Sequence, residues 1–460
     1  MKKKTVYLIL VLLFTVLGFV LPGFGALEAA GARCLCMFIA FLICCLTNVI
    51  PSGVASIIFT CLMGISTVGG FQGMSAAFKN VSVSLMAFCM GTLAITVALK
   101  RTTIPQRLAA FAAKVSKGKS KVIILFFMFA ACLLSAIMSN VAACATIGAM
   151  AYGICKTQEE SGAGVKNFGR CMMIGIPLGA GIGGCGTIAG SVNNATALEI
   201  LTAYDGSTIA FGPWALVMIP ATLIAMVIAW FILVTLWKPE PLSEKVIEET
   251  KNNDLGPMSA LDKKVSLIIV LMVGFWISTT WVKTYNANFV SIMGLVLFVV
   301  TDCFKWNEFN SECRWDSVLL CGGVMGVVQG LINTGVGDWI GNVLFGGVSA
   351  LPAVVLAMII VLASFILHAF IPVGGPIASI LTLPAITLCL NCGLNPAIAI
   401  LLVLIGANTC TILPIDHLPI MTQAYGYYKG GDFTKAGIPV TIAFTILLPL
   451  IIIPLFSLVG

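Results

Sequence analysis

A chain of 460 residues with 59% hydrophobic and only 9% charged side chains has too few charges to cover a water-soluble surface. Apolar runs of about 17 to 22 residues, enough to cross a bilayer core, recur from end to end, so the sequence reads as an all-α polytopic membrane protein. The formal net charge of +7 would suit nucleic acid, but the basic residues lie between the apolar runs, which makes them an orientation signal and excludes nucleic acid as a partner.

The amino end starts with three lysines and an apolar run longer than the roughly 7 to 15 residues of a cleaved signal core. It is predicted as a retained first span over 5–23, followed by spans at 34–50, 54–70 and 82–99. A basic segment, 100–121, leads into a helix hairpin near 122–155. The span at 170–203 is interrupted by "GIGGCGTIAGSVNN", and 212–237 is continuous. The stretch 238–264 is polar, of mixed charge and rich in turn formers, and is predicted as a cytoplasmic linker. Spans follow at 265–282, 288–303 and 317–333, then a second hairpin near 350–390. A second interrupted span, 394–425, carries "LIGANTCTILPIDHLP", and 437–458 is the last. The prediction is about 11 transmembrane helices plus two re-entrant hairpins.

With a cytoplasmic amino terminus, all 25 Lys and Arg except Arg33, Lys79 and Lys283 fall on the cytoplasmic side, 22 in total. That asymmetry is what the positive-inside rule demands, and it places the carboxyl terminus outside the plasma (inner) membrane. The seventeen cysteines are an odd number, and most sit within apolar runs as small hydrophobes. The CxxC at Cys389 and Cys392 has no second pair, so neither a structural disulfide nor a transition-metal site is expected.

The linker divides the chain near its midpoint, and the two sides repeat one order. In 1–237, "MGTLAITVALKRTTIPQRLAAF" precedes the hairpin "IILFFMFAACLLSAIMSNVAACATIGAM" and the first break. In 265–460, "GGVMGVVQGLINTGVGDWIGNVLFG" precedes "LAMIIVLASFILHAFIPVGGPIASILTLPA" and the second break. The halves enter the membrane from opposite sides, as in secondary transporters built from inverted repeats with broken helices. Non-helical backbone at membrane depth must be buried in protein or line a wet cavity.

Asp416 is the one acid placed within the second break, beside His417 and between Pro414 and Pro419. Intramembrane acids are expensive, so a cation, a proton or a structural partner is expected. Asp416, His417 and His368 are candidate proton carriers. His368, six residues before the Gly374 tip, is a candidate for the same cavity or a packed polar group.

These stretches resemble the divalent-anion/sodium symporters, the sodium-coupled dicarboxylate and sulfate carriers, over nearly the whole chain. The family's Ser-Asn-Thr tip is read here as Ser139-Asn140-Val141, and its glycine-rich break ends here in Ser191-Val192-Asn193-Asn194. The segment "GLINTGVGDWI" is also family-like. The resemblance implies a homodimer working by an elevator-type cycle, with sodium and a small anion held between the two tips. It implies a sodium site from Ser135, Ser139, Asn140 and backbone near Gly190. The implied anion site uses Ser139, Asn140, Val141 and Asn194 on one side and Gly374, Gly375, Pro376 and His417 on the other.

The second half departs from the pattern. Gly374-Gly375-Pro376 replaces the second Ser-Asn-Thr, and His417-Leu418-Pro419-Ile420 replaces the second Thr-Pro-Pro-Asn. Loss of those donors suggests a substrate smaller than a dicarboxylate or with fewer anionic ends. Asp416 is then a candidate for the missing cation chemistry, as a cation ligand or by carrying the coupled proton. The expected function is cation-coupled, sodium-driven symport of a small carboxylate or sulfate-like oxyanion, with no organic cofactor. The alternative is a sodium/proton antiporter or proton-coupled carrier using Asp416. Intramembrane proteases need two facing carboxylates or a His-Glu-x-x-His motif, and the sequence offers neither, so an enzyme is not expected.

Overall fold

Once out of water, an apolar segment must satisfy its own backbone amides, and a helix does so within a single run. In the computed structural model the described residues form 22 α-helices; the structure describes every residue except 1, 24, 253–254, 283, 346–350 and 460. Lys283, and residue 350 at the start of the second expected hairpin, lie outside the described residues.

The first part of the chain forms α1 (Lys2–Val20), α2 (Ala29–Thr47), α3 (Ser52–Ile65), the short α4 (Met74–Phe78) and α5 (Val83–Lys100). The amphipathic α6 (Ile104–Val115) leads into a helix pair, α7 (Ser120–Ser135) and α8 (Asn140–Glu160). The first broken span is α9 (Lys166–Gly184) and α10 (Val192–Asp205), joined by a 3-10 turn at Ile188–Gly190. Then come α11 (Phe211–Leu236) and, within the linker, α12 (Glu244–Asn252).

The second part forms α13 (Ala260–Ser278), α14 (Ala287–Val300), α15 (Trp306–Glu312) and α16 (Trp315–Asn333). The order of the first part then recurs: α17 (Val336–Phe345), a helix pair α18 (Ala353–Phe370) and α19 (Gly374–Asn391), and a broken span α20 (Pro396–Asn408) and α21 (His417–Gln423). The closing helix is α22 (Gly430–Val459).

Polar side chains set where several of these helices begin. Ser82, Ser191, Asn286 and Asn395 each accept a hydrogen bond from the first turn of the helix that follows, satisfying amides that a helix cannot satisfy itself. Among the described residues, eight helices are long and apolar enough to cross a membrane. They include α18 and α19 at 18 residues each. Two crossings and one re-entrant pair return the chain to the same side, so the charge asymmetry is identical either way.

Packing sorts the helices into two groups. In one, α3 lies against α16 and α2, and α5 against α14 and α16. Thr60 donates to the Gly323 carbonyl at 3.0 Å across the α3–α16 contact, and Ser56 to that of Leu319 at 3.2 Å. In the other, α9 packs on α7, α8 and α21, and α20 packs on α18, α19 and α10.

The linker is more ordered than its polar, turn-rich composition suggests. Buried Gln158 on α8 donates to the Pro241 and Gly164 carbonyls, at 2.9 and 3.1 Å, and accepts from the Ser243 amide at 2.9 Å. Glu240 accepts from the Asn167 and Phe168 amides at the start of α9, the latter at 2.7 Å. At the other end the Arg107 guanidinium of α6 donates to the Leu255, Gly256 and Pro257 carbonyls.

Asp262, at the polar start of α13 ahead of its apolar run, completes a capping box with Ser259. It also accepts from the Thr103 amide and hydroxyl, both at 2.8 Å. Burial disfavours its charge, but these Thr103 and Ser259 donors outweigh that and hold the carboxyl at about 2, below the ordinary 3.8.

Candidate functional site

The two helix pairs and the two breaks meet at a cavity of about 160 Å³. Its wall includes Ser139, Asn140 and Val141 from the α7–α8 tip and Val373, Gly374 and Gly375 from the α18–α19 tip. The first break contributes Ala189 to Asn193, and the second contributes Ala407, Asn408 and Asp416 to Leu418. Thr92 and Leu93 of α5 and the stripe Arg314, Ser317 and Leu320 complete it.

At the first tip, the Ser135 hydroxyl donates to the Ala180 carbonyl at 2.5 Å and sits 2.8 Å from the Asn140 side-chain amide. The Ser139 amide donates to Thr96 of α5 at 3.0 Å. Gly190, in the break, faces carbonyls from two segments: a Cβ there would lie 2.7 Å from the Gly184 oxygen and 3.0 Å from that of Ser135. Only glycine leaves that oxygen-lined cradle open. Carbonyl and amide oxygens of unwound backbone are the donors that replace the hydration shell of a hard monovalent cation, so these residues fit sodium.

At the second tip, glycine is required for a different reason. A Cβ on Gly374 would collide with the Ala407 carbonyl and lie 2.5 Å from the Asn193 amide nitrogen. The volume that a serine side chain would occupy at Gly374 is therefore already filled from the two breaks. Asn193 donates to Asn408 at 3.0 Å, and Asn408 donates to Asn194 at 2.8 Å. Asn194 donates in turn to the Gly184 and Thr187 carbonyls, at 2.6 and 2.7 Å. This chain of amides satisfies carbonyls freed where the helix stops.

Asp416 caps α21: its Oδ1 accepts from the Leu418 amide at 2.9 Å. Its Oδ2 lies 3.3 Å from Nε2 of His368, whose Nδ1 faces the Gly406 carbonyl at 2.5 Å. Both side chains are buried, whereas His417 is exposed and borders the cavity. The starts of α8 and α19 both reach the cavity wall, and helix amino termini favour an anion.

Of the residues singled out from sequence, Ser139, Asn140, Val141, Gly190, Gly374, Gly375, Asp416 and His417 border the cavity. Ser135 stands behind Asn140, His368 behind Asp416, and Asn194 behind Asn408. Pro376 follows the tip glycines inside α19 and is buried. Arg314, Ser317, Asn193 and Asn408 also border the cavity, though none of them is among the candidate site residues read from the sequence. The spacing of Arg314, Ser317 and Leu320, three residues apart, was the available sign that they share a helix face.

The sequence matches the family described as sodium:sulfate symporter transmembrane region over residues 2–459. It is 24% identical over 498 residues to "Protein I'm not dead yet" of Drosophila melanogaster, covering 90% of this chain and 83% of that protein. It is 23% identical over 405 residues to the sodium-dependent dicarboxylate transporter SdcS of Staphylococcus saprophyticus, covering 81% of this chain and 76% of that protein. Among solved structures, the YdaH transporter of Alcanivorax borkumensis shares the fold, with TM-score 0.60 and 12% identity over 99% of this chain and 98% of that one.

Proposed function

The chain belongs to the sodium:sulfate symporter family, and from that premise we propose that it is a secondary active transporter coupling sodium to the symport of a small anion. The substrate class is a carboxylate or a sulfate-like oxyanion. The convergence of two helix-pair tips and two helix breaks on one cavity carries this reading. Neither feature is needed for packing alone, and helix ends aimed into a cavity are suited to ions.

In this reading Ser139, Asn140 and Val141 hold the anion from one tip, and Gly374 and Gly375 present backbone amides from the other, with His417 beside them. Asn194 acts on the site through Asn408. Sodium, carried as a co-substrate, is held by oxygens of Ser135, Ser139, Asn140 and the Gly190 segment. Its charge offsets part of the cost of removing the anion from water. The halves 1–237 and 265–460 are inverted repeats with re-entrant hairpins. The helix group built on α7–α11 and α18–α22 moves as an elevator against the group built on α3, α5, α14 and α16. The protein works as a homodimer in the inner membrane, amino terminus inside and carboxyl terminus outside.

The test is uptake into proteoliposomes under imposed sodium and proton gradients. Asn140→Ala abolishes sodium-dependent uptake; survival of that activity would sink the sodium site.

A second reading, proton coupling through Asp416, is favoured by one observation. With Nδ1 of His368 against a carbonyl, that nitrogen must carry hydrogen. A neutral ring then turns its Nε2 lone pair toward Asp416, and the contact is attractive only with a further proton between them. In this reading Asp416 is the proton carrier and His368 its partner, either in symport or in sodium/proton exchange. Proton-driven uptake without sodium, lost in Asp416→Asn, distinguishes it.

A further inference from the structure

The second tip has lost the side-chain donors that would hold a second anionic group, yet among the described residues one cation, Arg314, borders the cavity, and it comes from neither tip. Arg314 precedes α16 as its cap residue and lies on the same helix face as Ser317 and Leu320, all three on the cavity wall. That wall reaches the second tip, since a Cβ on Gly375 would sit 3.5 Å from Leu320. The rise of a helix puts the Arg314 end about 9 Å from that contact.

The acids that flank Arg314 are engaged elsewhere. Glu312 pairs with Arg101 at 2.9 Å and Lys100 at 3.3 Å. Asp316 accepts from the Ser52 hydroxyl at 2.7 Å and the Gly53 amide at 2.8 Å, at the start of α3. Asp416, the acid on the cavity wall, faces His368. Among the described residues no carboxylate lies within ion-pair distance of the Arg314 guanidinium.

We propose that Arg314 is a substrate-specificity residue: its guanidinium takes the second anionic group of a substrate whose first is held at the Ser139–Asn140 tip. The planar fork of a guanidinium matches a carboxylate in two parallel hydrogen bonds. The site thus selects a short dianion with two separated anionic ends over a monoanion of the same length. This revises the expectation, drawn from the lost tip donors, of a substrate with fewer anionic ends, and it rests on the proposed anion symport.

The experiment uses the full chain, purified and reconstituted, with succinate and its half-amide succinamate as probes and sulfate as a compact oxyanion. The half-saturating concentration of each is read from sodium-dependent uptake and from thermal stabilisation. The native chain favours succinate over succinamate; Arg314→Gln raises the succinate value about tenfold and removes the preference. Arg314→Lys keeps part of it, because the charge remains without the fork. Without any anion, Arg314→Gln melts at the temperature of the native chain, which reports that the variant is folded. An unchanged preference in Arg314→Gln overturns the proposal, as does a native chain that takes up sulfate but does not favour succinate. Absence of sodium-dependent uptake or stabilisation with every anion instead overturns the transport reading itself.

Discussion

His368 and Asp416, 48 positions apart in sequence, meet with Nε2 3.3 Å from Oδ2, and the same carboxylate caps α21 through the Leu418 amide. One buried side chain thus both starts a half-helix and faces an imidazole.

Substitution separates the two roles. Asn caps a helix about as well as Asp, so Asp416→Asn keeps the cap and loses only the charge toward His368, whereas Asp416→Ala loses both. The expected difference in stability between the two variants is about 1 kcal/mol, in favour of Asn. It is read from thermal melts in detergent, and equal melting temperatures would remove the cap from the account.

Asn408→Ala leaves the Asn193 donor and the Asn194 acceptor without their partner in a buried setting. The expected cost is about 1 to 3 kcal/mol, with loss of anion uptake because both breaks lose their tie. A variant that melts like the native chain would show that water replaces the amide.

The two tip glycines should behave differently. Gly374→Ala drives a methyl into the Ala407 carbonyl, whereas at Gly375 the nearest atoms stand at 3.5 Å, an ordinary contact. Gly374→Ala is therefore expected to destabilise by about 1 to 3 kcal/mol, while Gly375→Ala leaves the melting temperature nearly unchanged. Comparable losses in both would argue against the close approach of the α19 start to the second break.

Asp262 makes an acid-side prediction. Its folded-state carboxyl is held at about 2 against an ordinary 3.8, so the charged form is favoured by folding. That stability is complete above the unfolded value and is lost as pH falls from about 4 toward 2, amounting to about 1 to 2 kcal/mol. Asp262→Asn is less stable than the native chain at neutral pH, and the gap closes toward pH 2. A gap independent of pH would mean that the amide loses packing rather than charge.

Helices, their breaks and both helix pairs were legible in the sequence, because apolar runs and the Gly and Pro residues that interrupt them act locally. Tip residues such as Asn140 and Gly374 could be placed for the same reason. Arg314 was counted only as a basic residue outside the spans, since nothing near it in sequence reveals that Glu312 and Asp316 are bound elsewhere. Asn194 was expected at the cavity, but its amide is drawn to the carbonyls freed at Gly184 and Thr187, and its neighbour Asn193 takes the wall. Gly374 looks empty in the sequence for the same reason: the groups that crowd it come from Asn193 and Ala407, far off in the chain.

The docked linker has a mechanical consequence. Gln158 fixes one end of it to α8, and Arg107 fixes the other to α6. Between the anchors lies the nine-residue α12, tied to Thr157 of α8 through Glu249 at 3.0 Å. Drawn out from helical to extended form, nine residues lengthen by roughly 17 Å. The strap joining the two halves therefore keeps a reserve of length folded away in α12, on which the elevator motion proposed above would draw without either anchor letting go.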